Sequence, residues 1–578
     1  MKKRLIYVFA ALIGMYSCGD DFSETPAVGA LSDEALANTS GVDLLLTGAY
    51  SALDGNRNNR PGNQFGVSAD NWWLDVMSDD AHKGSNDADQ EELFQLETND
   101  IRTVNSYFRA KFAALYAGVN RANAALNVIQ GIDTSTLLPL EAEKLTQQEG
   151  EARFLRGHYY FELTKIFGNV AIIDVDDFKE LEFNQPNDGP AWEQIESDFQ
   201  FAIDNLPAVR ADQPDPGRPT AVVAKAFLGK AHLFQQDYTL ALTLLNEVIN
   251  SGEFSLNPEF LDNFTTSGEN SPESVFAVQF AADDGFSFNG NIGSTLNFPG
   301  GGPFGSCCGF YMPTIDLANA YQVDPATGLP MLDMADNLPV FKNDYNIQSD
   351  QAFEPDTTTP VDPRLDYTVG RRGIDYNGFG EHIGKEWIRS APVDDISGPY
   401  LPKKSVYQQS EIGVSRGQGG WGEERSGLNY NIMRFSDVLL MAAEAAVETG
   451  DLATALNYVN QVRERAANTS VVQAVDGSGP AANYQIGLYP AFPDADFARD
   501  AVRYERRLEL GMEGHRLFDL RRWGVTTEVL PTYYANETRV IENFGPKVLP
   551  YQPHFDLSPI PIDAIDLSGG ILTQNPGY

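Results

Sequence analysis

Positive charge is scarce in this chain. It carries 41 Lys and Arg against 81 Asp and Glu, a formal net charge of -40. A surface of that sign repels nucleic acid and anionic lipid headgroups, which sets aside DNA, RNA and polybasic membrane docking. Cysteine is nearly absent as well. With only Cys18, Cys307 and Cys308 present, neither a disulfide framework nor a zinc-ligand spacing is available, and packing must hold the core. Histidines are few and scattered. No nucleophile elbow, H-E-x-x-H helix or P-loop is expected, and no cofactor or metal is implied. Long apolar runs are missing too: past the first residues, nothing approaches the ~20 residues of a spanning helix.

What is present begins at the N-terminus. Lys2, Lys3 and Arg4 precede an apolar run from Leu5 to Met15, and Cys18 is followed by Gly19, Asp20 and Asp21. This pattern predicts a secretory signal over residues 1–17, with Cys18 as the site of lipid attachment. Ordinary secretion with a free Cys18 thiol is the alternative. Residues 18–30 then form a lipidated tether, and the body is expected to be soluble and held at a membrane.

Helical periodicity dominates the next part, residues 31–251. Apolar residues recur at helical spacing over Val42–Leu53, Tyr107–Ile129, Leu145–Phe167, Trp192–Leu206, Thr220–Phe234 and Tyr238–Ile249. Two segments, Ala221–Ile249 and Arg434–Ala466, resemble tetratricopeptide units: a small-residue helix, a polar turn ending in Asp, and a second helix. Each such pair has a face that only a neighbour can bury. Tyr159, Tyr160 and Phe161 are expected in that core. Residues 252–427 differ, being rich in Gly, Pro, Asn, Asp and aromatics, with a strand-like run at Ser274–Phe280. A loop-rich insertion of this size in a helical scaffold is where a binding surface is expected. Residues 428–578 return to helix and end in a proline-punctuated tail.

Several segments together carry a family resemblance. They are EARFLRGHYYFELTKIFGNV (Glu151–Val170), YNIMRFSDVLLMAAEAA (Tyr430–Ala446), RYERRLELGMEGHRLFDLRRWG (Arg503–Gly524) and PIPIDAIDLSGGILTQNPGY (Pro559–Tyr578), with SDDAHKGSNDADQEELFQLE (Ser78–Glu97) near the start. In this order, behind a lipoprotein-type signal, the chain resembles the SusD/RagB family of outer-membrane nutrient-binding lipoproteins. The resemblance implies a mainly α fold, a scaffold of tetratricopeptide-like helix pairs with a loop-rich ligand-facing insertion. It also implies an extracellular position on the outer membrane, a SusC-like TonB-dependent transporter as partner, and capture of oligo- or polysaccharide without catalysis.

A sugar ring offers C–H patches to flat aromatic faces and hydroxyls to Asp, Asn or Arg. Trp72 and Trp73 sit in a polar stretch with Asp80; extended backbone would turn the two indoles to opposite faces, one toward ligand and one toward the core. Asp54 and Asn56 follow the first helix, as a simple turn or as part of the same loop surface. In the insertion, Arg371 and Arg372 with Tyr407 are candidates for a hydroxyl-binding rim, Tyr311 for ligand contact, and Trp387 and Trp421 for stacking platforms, although a tryptophan so placed is more often a buried anchor. Adjacent Cys307 and Cys308 either close an eight-membered ring that presents a flat apolar plate, or stay as two small buried thiols. Asp79, Asp80, Asp87 and Asp89 do not match a calcium loop and read as a solvated acidic loop. Glu513 and His515 could be cast as acid and base, but the charges around them read as structural pairs and arginine ties between helices.

Overall fold

The computed structural model describes residues 33–55, 62–282, 290–305, 307–388, 396–419 and 422–578. The signal, Cys18, Asn56 and Trp421 lie outside them. The fold is mainly helical. The helices of its main stack are Thr39–Tyr50, Ser106–Gln130, Pro139–Phe167, Trp192–Asn205, Ala221–Phe234, Tyr238–Asn250, Phe435–Glu448, Leu452–Asn468 and Ala495–Leu510. Each packs on the next, so that they form one continuous stack. The helix Tyr238–Asn250 lies directly against Phe435–Glu448 although some 180 residues separate them in sequence. The segment between is therefore a true interruption of the stack.

The two tetratricopeptide-like pairs form where their turn chemistry places them. Asp237 accepts from Leu240 N at 3.3 Å, and Asp451 accepts from Thr454 N at 3.1 Å, each satisfying a free amide at a helix start. Within the pairs, small residues let helices approach: a Cβ added at Gly229 would lie 3.0 Å from Leu245. The same device operates at Gly118, whose place for a Cβ is filled by the Tyr159 ring at 2.6 Å. Tyr159, Tyr160 and Phe161 are buried as expected.

The ends of the insertion are tied together. Ser274–Val278 and Tyr430–Arg434 pair antiparallel, and every residue of the first strand is buried. Phe276 from that strand enters the ring cluster of Phe154 and Phe227, at 5.0 and 5.7 Å. Beneath the strands, Arg434 donates to Glu273 at 2.9 Å and to Glu513 at 2.8 Å, and pairs with Glu509. Arg364 reaches Glu505 at 2.7 Å and Glu509 at 2.9 Å, while Arg465 bonds Glu273 at 2.8 Å. These ions are almost wholly inaccessible, so their mutual pairing is what makes their burial tolerable. The segment Arg503–Gly524 is accordingly two helices, Ala495–Leu510 and Arg516–Trp523. Most of its charges pair with other elements rather than along one helix. The chain turns between them at Gly514, with φ 81°, where a Cβ would strike the Asp70 carbonyl at 2.2 Å.

Candidate ligand-binding site

The residues expected near Trp72 come together, but inward. Trp72–Asp75 is a helical turn, not an extended strand, so the two indoles do not face opposite ways. Trp72 stacks on Tyr311 at 6.0 Å and meets Tyr430 edge-on at 5.6 Å; Trp73 stacks on Tyr107 at 5.5 Å. Their exposures of 2% and 0% place both in the core and leave neither as a sugar platform. Tyr311 donates to Asp75 at 2.6 Å and is itself buried. Burial, with the Asp80 charge adding to it, pushes the Asp75 carboxyl up to about 7.

Asp80 is equally internal, accepting from Arg507 Nε at 2.8 Å, and Asp79 takes both ends of the Arg516 guanidinium at 2.7 Å. The solvated acidic loop is thus corrected at these two positions: their carboxylates are buried and engaged by arginine. Asp87 is held by Lys547 at 2.8 Å. A polar notch of about 40 Å³ opens beside Trp72, lined by Lys404, Tyr430 and Glu513. That is room for water, not for a sugar ring.

Glu513 and His515 do not form an acid–base pair. Burial opposes the charge of Glu513, but Arg434 and Lys404 more than offset it and hold its pKa low. Burial lowers His515 to about 4. One is a bound carboxylate and the other a neutral imidazole at neutral pH, so neither holds a proton to give. Gly413–Gly417 does spell G-x-S-x-G, yet Ser415 is fully buried and ends a helical turn that leads into the strand Arg416–Gln418. A nucleophile elbow runs the other way, from strand to helix.

The insertion gathers the other candidates around an aromatic cluster. Phe298, Phe304, Tyr376, Trp387 and Tyr407 are buried, and the half-buried Phe379 packs against them. Phe304 meets Phe379 at 4.7 Å and Phe298 meets Tyr407 at 5.2 Å. Tyr407 donates to Glu424 at 2.8 Å, and Arg416 clamps the same carboxylate. Tyr407 therefore supports the cluster from within and is not a rim hydroxyl. Trp387, 8% exposed, lies over Gly302, where an added Cβ would come within 2.7 Å of the indole. It is a buried anchor.

Cys307 and Cys308 are joined as a disulfide across a cis peptide bond. Cys308 N donates to the Phe298 carbonyl at 3.4 Å and Phe310 N to the Leu296 carbonyl at 2.8 Å, which fixes the ring on the cluster. Cys308 is buried and Cys307 half-buried. Arg371 is bidentate to Asp366, and Arg372 donates to the carbonyls of Gln348, Ser349 and Gln351. Both arginines brace loops instead of lining a rim. Asp54 is half-buried beside Gly55, whose φ of 73° and close approach to Ser68 make this segment a turn. Sequence reasoning missed Phe379. Its signal was the run Asn377-Gly378-Phe379-Gly380, where residues 377, 378 and 380 all have positive φ and form a tight turn.

Similarity to known proteins fits this architecture. Residues 272–578 match the family model described as SusD family, and residues 59–233 match one described as starch-binding associating with outer membrane. SusD-like protein P2 of Formosa agariphila is 25% identical, with all of both chains aligned. A SusD homolog from Bacteroides thetaiotaomicron superposes with a TM-score of 0.68 at 22% identity, over 94% of this chain and 97% of that one. Surface glycan-binding protein A from the same organism, solved in complex with laminarihexaose, gives a TM-score of 0.61 at 19% identity, over 93% and 99%. With more than half its length matching the family model, and the fold continuous across the whole described chain, this protein belongs to the SusD family.

Proposed function

We propose that this protein captures an oligo- or polysaccharide outside the cell and passes it to a SusC-like TonB-dependent transporter for import. In this reading Cys18 carries the lipid anchor and the protein sits on the outer face of the outer membrane. The observation that carries it is the aromatic cluster of the insertion, which holds the half-buried Phe379 at its edge, with the half-buried Cys307 of the disulfide close by through the Cys308–Phe298 backbone bond. Flat apolar patches of this kind suit the C–H faces of sugar rings. Family membership and a structural neighbour bound to laminarihexaose support the same reading. The match to a family model named for starch binding and outer-membrane association supports it further. Among the described residues no helix is long and apolar enough to cross a membrane, consistent with a lipid tether. A β-glucan or a fructan would both present suitable rings. A peptide or another nutrient on the same fold is the second reading.

Affinity electrophoresis and calorimetry against a panel of plant, algal and microbial polysaccharides test it. At least one glycan should retard the protein, and Phe379→Ala should weaken that binding by about tenfold. Retardation by none would overturn the proposal. A Cys18→Ala protein should bind in solution and fail to support uptake by cells.

A further inference from the structure

A cavity of about 320 Å³ lies outside the insertion's aromatic cluster. It lies among the helices Ala495–Leu510, Arg516–Trp523 and Thr526–Thr538. That volume matches a small-ligand site. Its walls mix apolar and polar groups, with Leu332, Leu520 and Val529 facing Tyr504 and Asn536. Its floor is a closed set of ions: Arg507 bonds Asp80 and Asp316, and Arg516 bonds Asp79.

Arg503 is different. The other arginines of this segment each meet a carboxylate or a carbonyl: Arg499 bonds Glu448, Arg506 bonds Asp437 and Asp519, Arg521 bonds the Phe555 carbonyl, and Arg522 bonds Glu444. Among the described residues Arg503 meets neither, and its Nε is buried without a hydrogen-bond partner. Its guanidinium stacks on Trp523 with 4.8 Å to the ring centre, and Arg522 takes the same indole at 5.0 Å. Stacking holds the plane, and with Nε closed off the two Nη groups are the edge left to receive a carboxylate through two parallel hydrogen bonds. In a chain of net charge -40, a half-buried cation beside an open cavity with no carboxylate at bonding distance is out of character; Glu444 and Glu448 act on it only from further off, and both are already bonded by Arg522 and Arg499. The remaining carboxylates, Asp500 and Glu528, are exposed at the mouth, where solvent screens them and sugar hydroxyls can donate to them.

We propose that this cavity is a second carbohydrate subsite, selective for a sugar residue bearing a carboxylate, with Arg503 as its receptor. The inference rests on glycan binding as the protein's function and adds an acidic class of sugar to it. The carboxylate would lie against the Arg503 edge, and the ring would pack along Tyr504 and Val529.

The test uses the full chain with two matched probes, an oligogalacturonate and its carboxyl-reduced neutral counterpart. Wild-type protein should prefer the acidic probe by about tenfold or more, the worth of a charge-assisted hydrogen-bonded pair. Arg503→Gln should abolish the preference and leave neutral-polysaccharide binding intact, with an unchanged melting temperature. Thr532→Trp, which fills the cavity from a half-exposed position, should do the same without touching the charge. Equal affinity for the two probes, or a preference that survives both variants while neutral glycans still bind, overturns this inference and leaves the general function standing. Loss of all glycan binding by wild-type protein overturns both. Arg503-dependent binding of polyglutamate but not of the oligogalacturonate assigns the cavity to an acidic peptide and overturns the sugar.

Discussion

The helical stack and the insertion are held by different forces. In the stack, each helix buries an apolar stripe on its neighbour, and the charges buried with it, such as Arg156 with Asp198 and Lys230 with Asp437, tie adjoining helices across that apolar contact. In the insertion, secondary structure is sparse and the strands are short. Its ends are held by buried arginines and glutamates, with Arg364, Arg434 and Arg465 converging on Glu509. Apolar packing tolerates small shifts. An ionic knot does not, because each charge depends on the others to offset its lost hydration. A surface made of loops can be rigid on that basis.

The sharpest way to break this contrast is Glu509→Gln. It leaves three buried guanidiniums short of a carboxylate and should cost about 3–5 kcal/mol in a denaturant titration. Limited proteolysis should then cut within 252–427 before it cuts the stack. Simultaneous cleavage of both regions would show that the two are one cooperative unit.

Next in size is a pH effect at a second ionic tie. His82, in a short strand paired with Met312–Pro313, sits between Glu97 and Glu537 at 2.7 Å each. Burial alone would lower its pKa, but the hydrogen bonds of Glu537 and Glu97 raise it to about 10 from an ordinary 6.5. The native state therefore holds this proton more tightly than the unfolded chain does. The stabilisation is full below about 6.5 and is lost as pH rises through about 10. Stability should fall across that window by a few kcal/mol, and thermal midpoints should fall with it. The slope should vanish in His82→Gln. Glu537 also accepts from Ile315 N and Asp316 N at 2.9 and 3.1 Å, so the loss should be felt first in the insertion.

The same division explains what could be read from the chain alone. The stack announces itself because periodicity, small residues and Asp-initiated turns are local signals. Ala221–Phe234 and Tyr238–Asn250 differ from expectation only at their ends. The insertion is written in long-range pairings that no local window contains. Trp72 and Trp73 looked like a loop platform because their neighbours are polar. Those neighbours, Asp75, Asp79 and Asp80, are answered by Tyr311, Arg516 and Arg507, far along the sequence. Phe379 went unnoticed because exposure in a turn depends on backbone signs at its neighbours, not on its own type.

The smallest expected effect is the most discriminating. Asp451 caps the second pair's helix, accepting from Thr454 N at 3.1 Å and Thr454 Oγ1 at 2.7 Å. These bonds lower its pKa at an otherwise exposed position. Asp451→Ala should cost about 1 kcal/mol, far less than the ionic variants. Hydrogen exchange should quicken along Leu452–Asn468 and its stack neighbour Ala495–Leu510, because a frayed helix start loosens the face it shares. Protease sensitivity of residues 252–427 should stay at its wild-type level, since the arginine knot does not use that cap. Were the insertion to loosen as well, Arg465, which lies on the same capped helix and bonds Glu273, would be the route. The stack would then be setting the geometry of the binding surface and not merely carrying it.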